Sequence, residues 1–256
     1  MNEIWMIIAV SLIIGFAGFV DAIAGGGGII SLPAYFLTGL PAHVCYGTNK
    51  FTAACGTTFA VATYFKNGAM NIKAALIAAA GSFIGSTIGS RIVMNLEERT
   101  LKLMLIFLLP CVAVFIFVKK IGDGVDMSHT LGKKKLIILA FAVGICVGLY
   151  DGIFGPGTGT IAAIAFTAVM KFDLKTASGN AKLLNLASNY AALVTFLLSG
   201  VVDFRFAIPG AICNICGSLI GSHLAVKKGA KFIRPIMLLM VVLLMISVAY
   251  DIVTGV

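Results

Sequence analysis

The chain has 256 residues, 60% of them hydrophobic and 11% charged, with a mean hydropathy of +1.06. A soluble domain of this size cannot bury so much apolar surface, so the composition excludes a soluble enzyme or binding module and points to an integral membrane protein. The net charge of +9 sits in lysines and arginines between apolar stretches, as membrane loops require, and not in a nucleic-acid-binding patch.

Apolar stretches long enough to cross hydrocarbon as helices recur along the chain, and the period-two alternation of an outer-membrane barrel is missing. The first, about 4–23, carries Glu3 where a signal peptide has its basic region and lacks a small-residue cleavage site, so residue 1 is expected to stay in place. It runs into "DAIAGGGGIISLPAYFLTGLP" (21–41), a carboxylate and four consecutive glycines. A short segment at about 28–40 follows, then segments at 48–66, 72–94 and 101–118, the last expected to kink at Pro110. A polar linker, "KKIGDGVDMSHTLGKKK", leads to segments at 136–154, 159–170, 178–199, 204–226 and 232–254.

The second set repeats the first. "GLYDGIFGPGTG" (148–159) restates "GFVDAIAGGGGI" (18–29); further on Lys50 falls on Lys182, Gly68 on Gly200, and "GSTIGS" (85–90) on "GSLIGS" (217–222). The expected fold is therefore an all-α polytopic membrane protein of two inverted repeats. Each has about five segments, four long transmembrane helices plus one short broken or half helix. Residues 1–120 form the first transmembrane repeat, 121–132 a cytoplasmic linker and 133–256 the second repeat.

Inversion follows from the short segments. Thirteen residues of helix span about 20 Å against about 30 Å of hydrocarbon, so each is a half-helix or dips in and returns. If the short segments count as crossings, Lys66, Lys73, Lys119, Lys120, Lys133 to Lys135, Lys171, Lys175, Lys227, Lys228, Lys231 and Arg234 share one side, and only Arg91, Arg99, Lys102 and Arg205 the other. If they dip and return, the charges divide almost evenly. The positive-inside bias selects the first arrangement, with the linker cytoplasmic and both termini outside. Interrupted segments at corresponding places in two inverted halves mark the binding site of many secondary transporters.

A half-helix starting at Gly28 or Gly159 presents unpaired N–H groups and a positive dipole end, which attract anions. The candidate substrate-binding residues are Gly25, Gly26, Gly27, Gly28 and Ser31 in the first half and Gly155, Gly157, Thr158, Gly159 and Thr160 in the second. Lys50 and Lys182 lie inside apolar segments, with Thr48, Asn49, Asn180 and Asn185 beside them. Ionisable residues there are expensive and mark a pathway, unless they snorkel to the interface. Asp21 and Asp151 are candidates for carrying a coupling proton; equally, they are positioned to form salt bridges, Asp21 with Lys50 and Asp151 with Lys182. The small-residue ladders Gly81, Gly85, Gly89 and Gly217, Gly221 read as faces for close helix contact.

No cofactor or metal is expected: the CxxC of Cys213 and Cys216 has no second pair, and His43, His129 and His223 have no repeat partners. Nor is enzyme activity, since no HExxH or GxSxG motif is present. The expected partners are a small anionic substrate and the lipid bilayer, with a homodimer left open and no nucleic acid. Rival readings are an anion channel and a cysteine-relay transporter of a reduced sulfur or soft-metal species through Cys55, Cys213 and Cys216.

"DAIAGGGGIISLPAYFLTGLPAHVCYGTNKF" and "KNGAMNIKAALIAAAGSFIGSTIGSRI", with a degenerate copy in the second half, resemble the TauE/SafE-type sulfite exporter family over essentially the whole chain. The resemblance implies a permease for a small sulfur-containing anion such as sulfite, thiosulfate or a sulfonate, in a bacterial inner membrane, without fixing substrate or direction. The second half departs from the glycine pattern at Pro156, Thr158 and Thr160, where the first has Gly26, Gly28 and Ile30.

Overall fold

A computed structural model describes residues 3–97, 100 and 125–239. Pro110, Cys111 and the expected segment 101–118 lie outside the described residues, as does most of segment 232–254. The described chain is helical: α1 (Glu3–Ala24), α2 (Gly28–Phe36), α3 (Ala42–Lys66), α4 (Ile72–Met94), a 3-10 turn (Ser128–Thr130), α5 (Lys133–Ile153), α6 (Thr158–Ala168), α7 (Leu174–Leu198) and α8 (Phe204–Lys228), with helix again over 230–239.

Among the described helices, α1, α4, α5, α7 and α8 are long and apolar enough to cross a membrane. The 25-residue α3 is interrupted by Thr48, Asn49, Lys50, Thr52 and Thr57, every one of them buried. Polar residues are costly against lipid, and those of α3 are turned toward the helices it packs on, α8, α7, α2 and α1, while Phe59 and Phe65 are exposed. The short segments are shorter than the sequence suggested. Helix α2 ends at Phe36, not near 40, and has 9 residues; α6 has 11. At 1.5 Å per residue α2 is about 14 Å long, half a span.

The small-residue ladders build the tightest seams. A Cβ on Gly81 would meet the Phe141 carbonyl oxygen at 2.5 Å, and one on Gly89 the Leu149 carbonyl oxygen at 2.6 Å. Residue numbers rise together across this seam, so α4 and α5 are parallel. Parallel too are α1 and α8, where Asn214 Nδ2 donates to the Ile14 carbonyl and Ser218 Oγ to that of Gly18. Gly47 faces Val201 and Gly56 faces Asn214 and Ser218, which aligns α3 with α8. Ser86 Oγ donates to the Ser188 carbonyl and Ser90 Oγ to Thr195 Oγ1, aligning α4 with α7. Helices α3 and α4 are joined by a short turn and antiparallel, His43 Nε2 lying 3.2 Å from the Val93 carbonyl oxygen. Thus α1, α3 and α8 run one way and α4, α5 and α7 the other.

These directions gather Lys66, Lys73, Lys133 to Lys135, Lys171, Lys175, Lys227 and Lys228 at one end of the bundle, and leave Arg91 and Arg205 at the opposite end. Each first helix packs on the fourth helix of the other half, α1 on α8 and α5 on α4. The two halves therefore share one core.

Gly89→Val places branched carbons against the Leu149 carbonyl. It is expected to lower the unfolding temperature of detergent-purified protein by roughly 5 °C or more. Gly132→Ala, at a position with open space around it, is expected to leave it unchanged.

Candidate functional site

Helices α1 and α5 stop inside the protein, and the chain reverses through glycines into α2 and α6. Gly25 (φ +77°) and Gly157 (φ +78°) take left-handed conformations that L side chains rarely adopt. Gly25 has a second constraint: a Cβ there would overlap the Gly159 backbone, whose N–H donates to the Gly25 carbonyl at 3.2 Å. The two reversals thus touch. From them α2 runs beside α3 toward the end where α3 begins, with Ser31 against Asn49 and Phe36 against Tyr46. Helix α6 leads away to the opposite end, where Phe166 meets Phe172 just before α7. Two half-helices therefore set their positive ends together and point apart.

A cavity of about 30 Å³ lies at this meeting point, lined by Ala17, Asp21, Gly27, Gly28, Ser31, Asn49, Lys50, Ala53, Asp151, Gly155, Asn185, Asn189 and Asn214. On the scale where about 10–15 Å³ admits one water, it has room for two or so waters, or for one small ion.

Lys50 and Lys182 do not snorkel; their exposures are 3% and 2%. Each lies eight residues into a 25-residue helix, α3 or α7. Because those helices run in opposite directions, the lysines fall on opposite sides of the helix midpoints, about 6 Å from each. Both are paired, but not within their own halves. Lys50 Nζ binds Asp151 Oδ2 at 2.6 Å, and Lys182 Nζ binds Asp21 Oδ2 at 2.9 Å. The expected pairs, Asp21 with Lys50 and Asp151 with Lys182, are crossed. The reason is packing: α1 is seated against α8, and α5 against α4, so each aspartate at a helix break is presented to the other half's third helix. The remaining oxygens are engaged as well. Asp151 Oδ1 accepts from Thr158 Oγ1 at 2.7 Å, and Asp21 Oδ1 from the Gly27 N–H at 3.2 Å.

Of the residues singled out from sequence, the cavity brings together Asp21, Gly27, Gly28, Ser31, Asn49, Lys50, Asp151, Gly155 and Asn185. Others hold the frame. Thr48 Oγ1 accepts from the Asp203 N–H and Asn180 Oδ1 from the Asn71 N–H, equivalent bonds that dock the starts of α8 and α4. Thr158 Oγ1 lies as close to the Gly155 carbonyl oxygen, an alternative acceptor for its one hydrogen, and Thr160 Oγ1 donates to the Ala24 carbonyl. Gly25, Gly26, Gly157, Gly159 and Lys182 stand outside the lining. Asn189, one of the polar residues clustered around Lys182 in the sequence, lines it too, and so does Asn214, which was not put forward and is the one large polar residue inside "AICNICGSLIGS". Cys55, Cys213 and Cys216 do not line the cavity. Among the described residues no three His, Cys, Asp or Glu side chains converge on a metal-sized site.

The model of the family described as Sulfite exporter TauE/SafE matches residues 10–248. The chain belongs to the TauE/SafE sulfite exporter family. It is 33% identical to "Probable membrane transporter protein" of Haemophilus influenzae, over 96% of this chain and 95% of that one. It is 32% identical to "Probable membrane transporter protein YfcA" of Escherichia coli K12, over 92% and 86%. "Probable membrane transporter protein YdhB" of Bacillus subtilis is 24% identical over 92% and 96%. No solved structure matches the chain. The TauE/SafE chain described here is thus a multi-pass membrane transporter.

Removing one partner of a buried ion pair strands the other. Lys50→Met is expected to destabilise the protein by about 3–5 kcal/mol, and Lys50→Met with Asp151→Leu to recover most of that loss. Lys50→Met with Asp21→Leu, the within-half combination, is expected to recover none of it. Thermal unfolding of the three purified variants reads the difference.

Proposed function

We propose that this TauE/SafE protein is a secondary transporter of a small sulfur-containing anion such as sulfite, thiosulfate or a sulfonate. It works by alternating access between two inverted halves, in a bacterial inner membrane. The observation that carries the reading is the polar cavity where two half-helix N-termini meet, with a buried lysine on its wall. The opposed directions of α1, α3 and α8 against α4, α5 and α7 support the inversion. The lysines collected at one end support a cytoplasmic linker at 121–132 and external termini.

In the described state both lysines are neutralised, so a substrate anion competes with a carboxylate for Lys50. A proton on Asp151 removes that competition. It cancels one negative charge as the anion brings one in, and the cavity's net charge is unchanged. Asp21 stands in the same relation to Lys182 on the other side of the midpoint. Asp21 and Asp151 are therefore the proton-coupling residues of this proposal, and Lys50 and Lys182 the alternating anchors. The proton-motive force supplies the energy, and direction follows the gradients.

In proteoliposomes, uptake of thiosulfate, sulfite or methanesulfonate is expected to saturate and to be accelerated by the same anion on the far side, the signature of a carrier. Non-saturating flux without that acceleration would instead indicate an anion channel. Gly27→Val is expected to abolish uptake, because a Cβ there meets Asp21 Cβ at 2.5 Å and the Ala17 carbonyl oxygen at 2.7 Å. Undiminished flux through Gly27→Val would remove the glycine turn from the pathway.

A further inference from the structure

The cavity is closed unequally at its two ends. Toward the end where the lysines gather, the core is one large cluster that draws buried side chains from every long described helix and from α6, among them Ile23, Tyr64, Phe166 and Ala181. Helix α2 meets that cluster through Ile29 and Ile30 of its first turn. Toward the opposite end, where α3 begins, two small clusters close the way, and α2 belongs to both. It gives Ala34 and Tyr35 to one and Leu32 and Phe36 to the other. Opening that end takes the movement of one nine-residue helix, whereas opening the other takes much of the bundle. The chain leaves α2 through Gly39, left-handed at φ +77° and with open space around it, so the far end of α2 is loosely tethered.

Tyr46 lies beneath α2, one turn before Lys50 on α3. Its ring meets Phe36 edge to face, with centroids 6.3 Å apart, and packs with Leu32, Val93 and Phe196. It is 1% exposed, and its hydroxyl has no hydrogen-bond partner among the described residues. Other tyrosines of the core have acceptors: Tyr35 donates to Thr52 Oγ1, Tyr64 to the Ala22 carbonyl and Tyr150 to the Pro156 carbonyl. A hydroxyl buried without a partner costs free energy that contact with water would return.

We infer that α2 is the gate at the end of the pathway where α3 begins, and that the Tyr46 hydroxyl, orphaned when α2 is closed and hydrated when it lifts, keeps the closed state from becoming a trap. This rests on the transporter reading of the cavity and goes beyond it, naming the element that moves and the group that drives its return. Helix α2 pivots on its first turn, where Ile29 and Ile30 stay on the large cluster, and its last turn swings away from Tyr46. Tyr46 does not line the cavity. It is a positioning residue, which sets the balance between closed and lifted α2.

Ser31→Cys supplies the reporter, since Ser31 faces the cavity from α2 and is 4% exposed in the described state. A maleimide is too large for a cavity of about 30 Å³ and reaches position 31 when α2 lifts; mass spectrometry of the full-length purified protein reads the label there. Adding Tyr46→Phe is expected to slow labelling about tenfold and, by removing an unpaired hydroxyl, to raise the unfolding temperature by about 2–4 °C. A residue that merely packs would not move both in those directions. A lowered unfolding temperature, or labelling at an unchanged rate, would overturn the role of the hydroxyl. No labelling of Ser31→Cys at all would overturn α2 as the gate. Labelling needs no substrate, so it is read apart from transport: the expected labelling together with no anion uptake by wild-type proteoliposomes would overturn the transporter reading and leave the motion of α2 standing.

Discussion

Two buried lysines, each neutralised by a carboxylate from the opposite half, are the constraint around which this TauE/SafE protein is arranged. A lone ammonium or carboxylate at that depth costs several kcal/mol, so neither half can place its lysine without the other half's broken helix beside it. The crossed pairs make the halves mutually dependent in charge, as the swapped packing of α1 on α8 and α5 on α4 makes them dependent in shape.

The glycines follow from that requirement. For Asp21 and Asp151 to reach across, α1 and α5 must end inside the protein and hand over to half-helices within a few residues, and the two reversals must touch. Only backbone without side chains allows the Gly25–Gly159 contact. Stopping the helices there exposes backbone donors beside the cavity. A polar helix such as α3 is tolerable because its polar residues are buried against its neighbours.

Much of this was legible in the sequence because it is written as repetition. The two halves, the interrupted segments and the paired lysines and aspartates all emerge from aligning the chain with itself. What alignment cannot supply is which half answers which: Asp21 and Lys50 are close in sequence, and nothing local says that Asp21 turns to Lys182 instead. That choice belongs to tertiary packing. For the same reason Thr48 and Asn180, adjacent to the lysines and polar, looked like lining residues; they cap the turns that dock α8 and α4. Asn214 reaches the cavity from a helix whose facing could not be read from weak periodicity. The short helix α2 ends early because Leu37 to Leu40 turn back through Gly39 to start α3.

In the proposed mechanism an anion reaches Lys50 only when a proton replaces that lysine on Asp151, so charge enters and leaves in balanced pairs. The most direct measurement is methanesulfonate uptake into proteoliposomes under independently clamped voltage and pH gradients. One proton per anion, with uptake driven by the pH gradient and indifferent to voltage, is the predicted result. Uptake that follows voltage and ignores the pH gradient would contradict it.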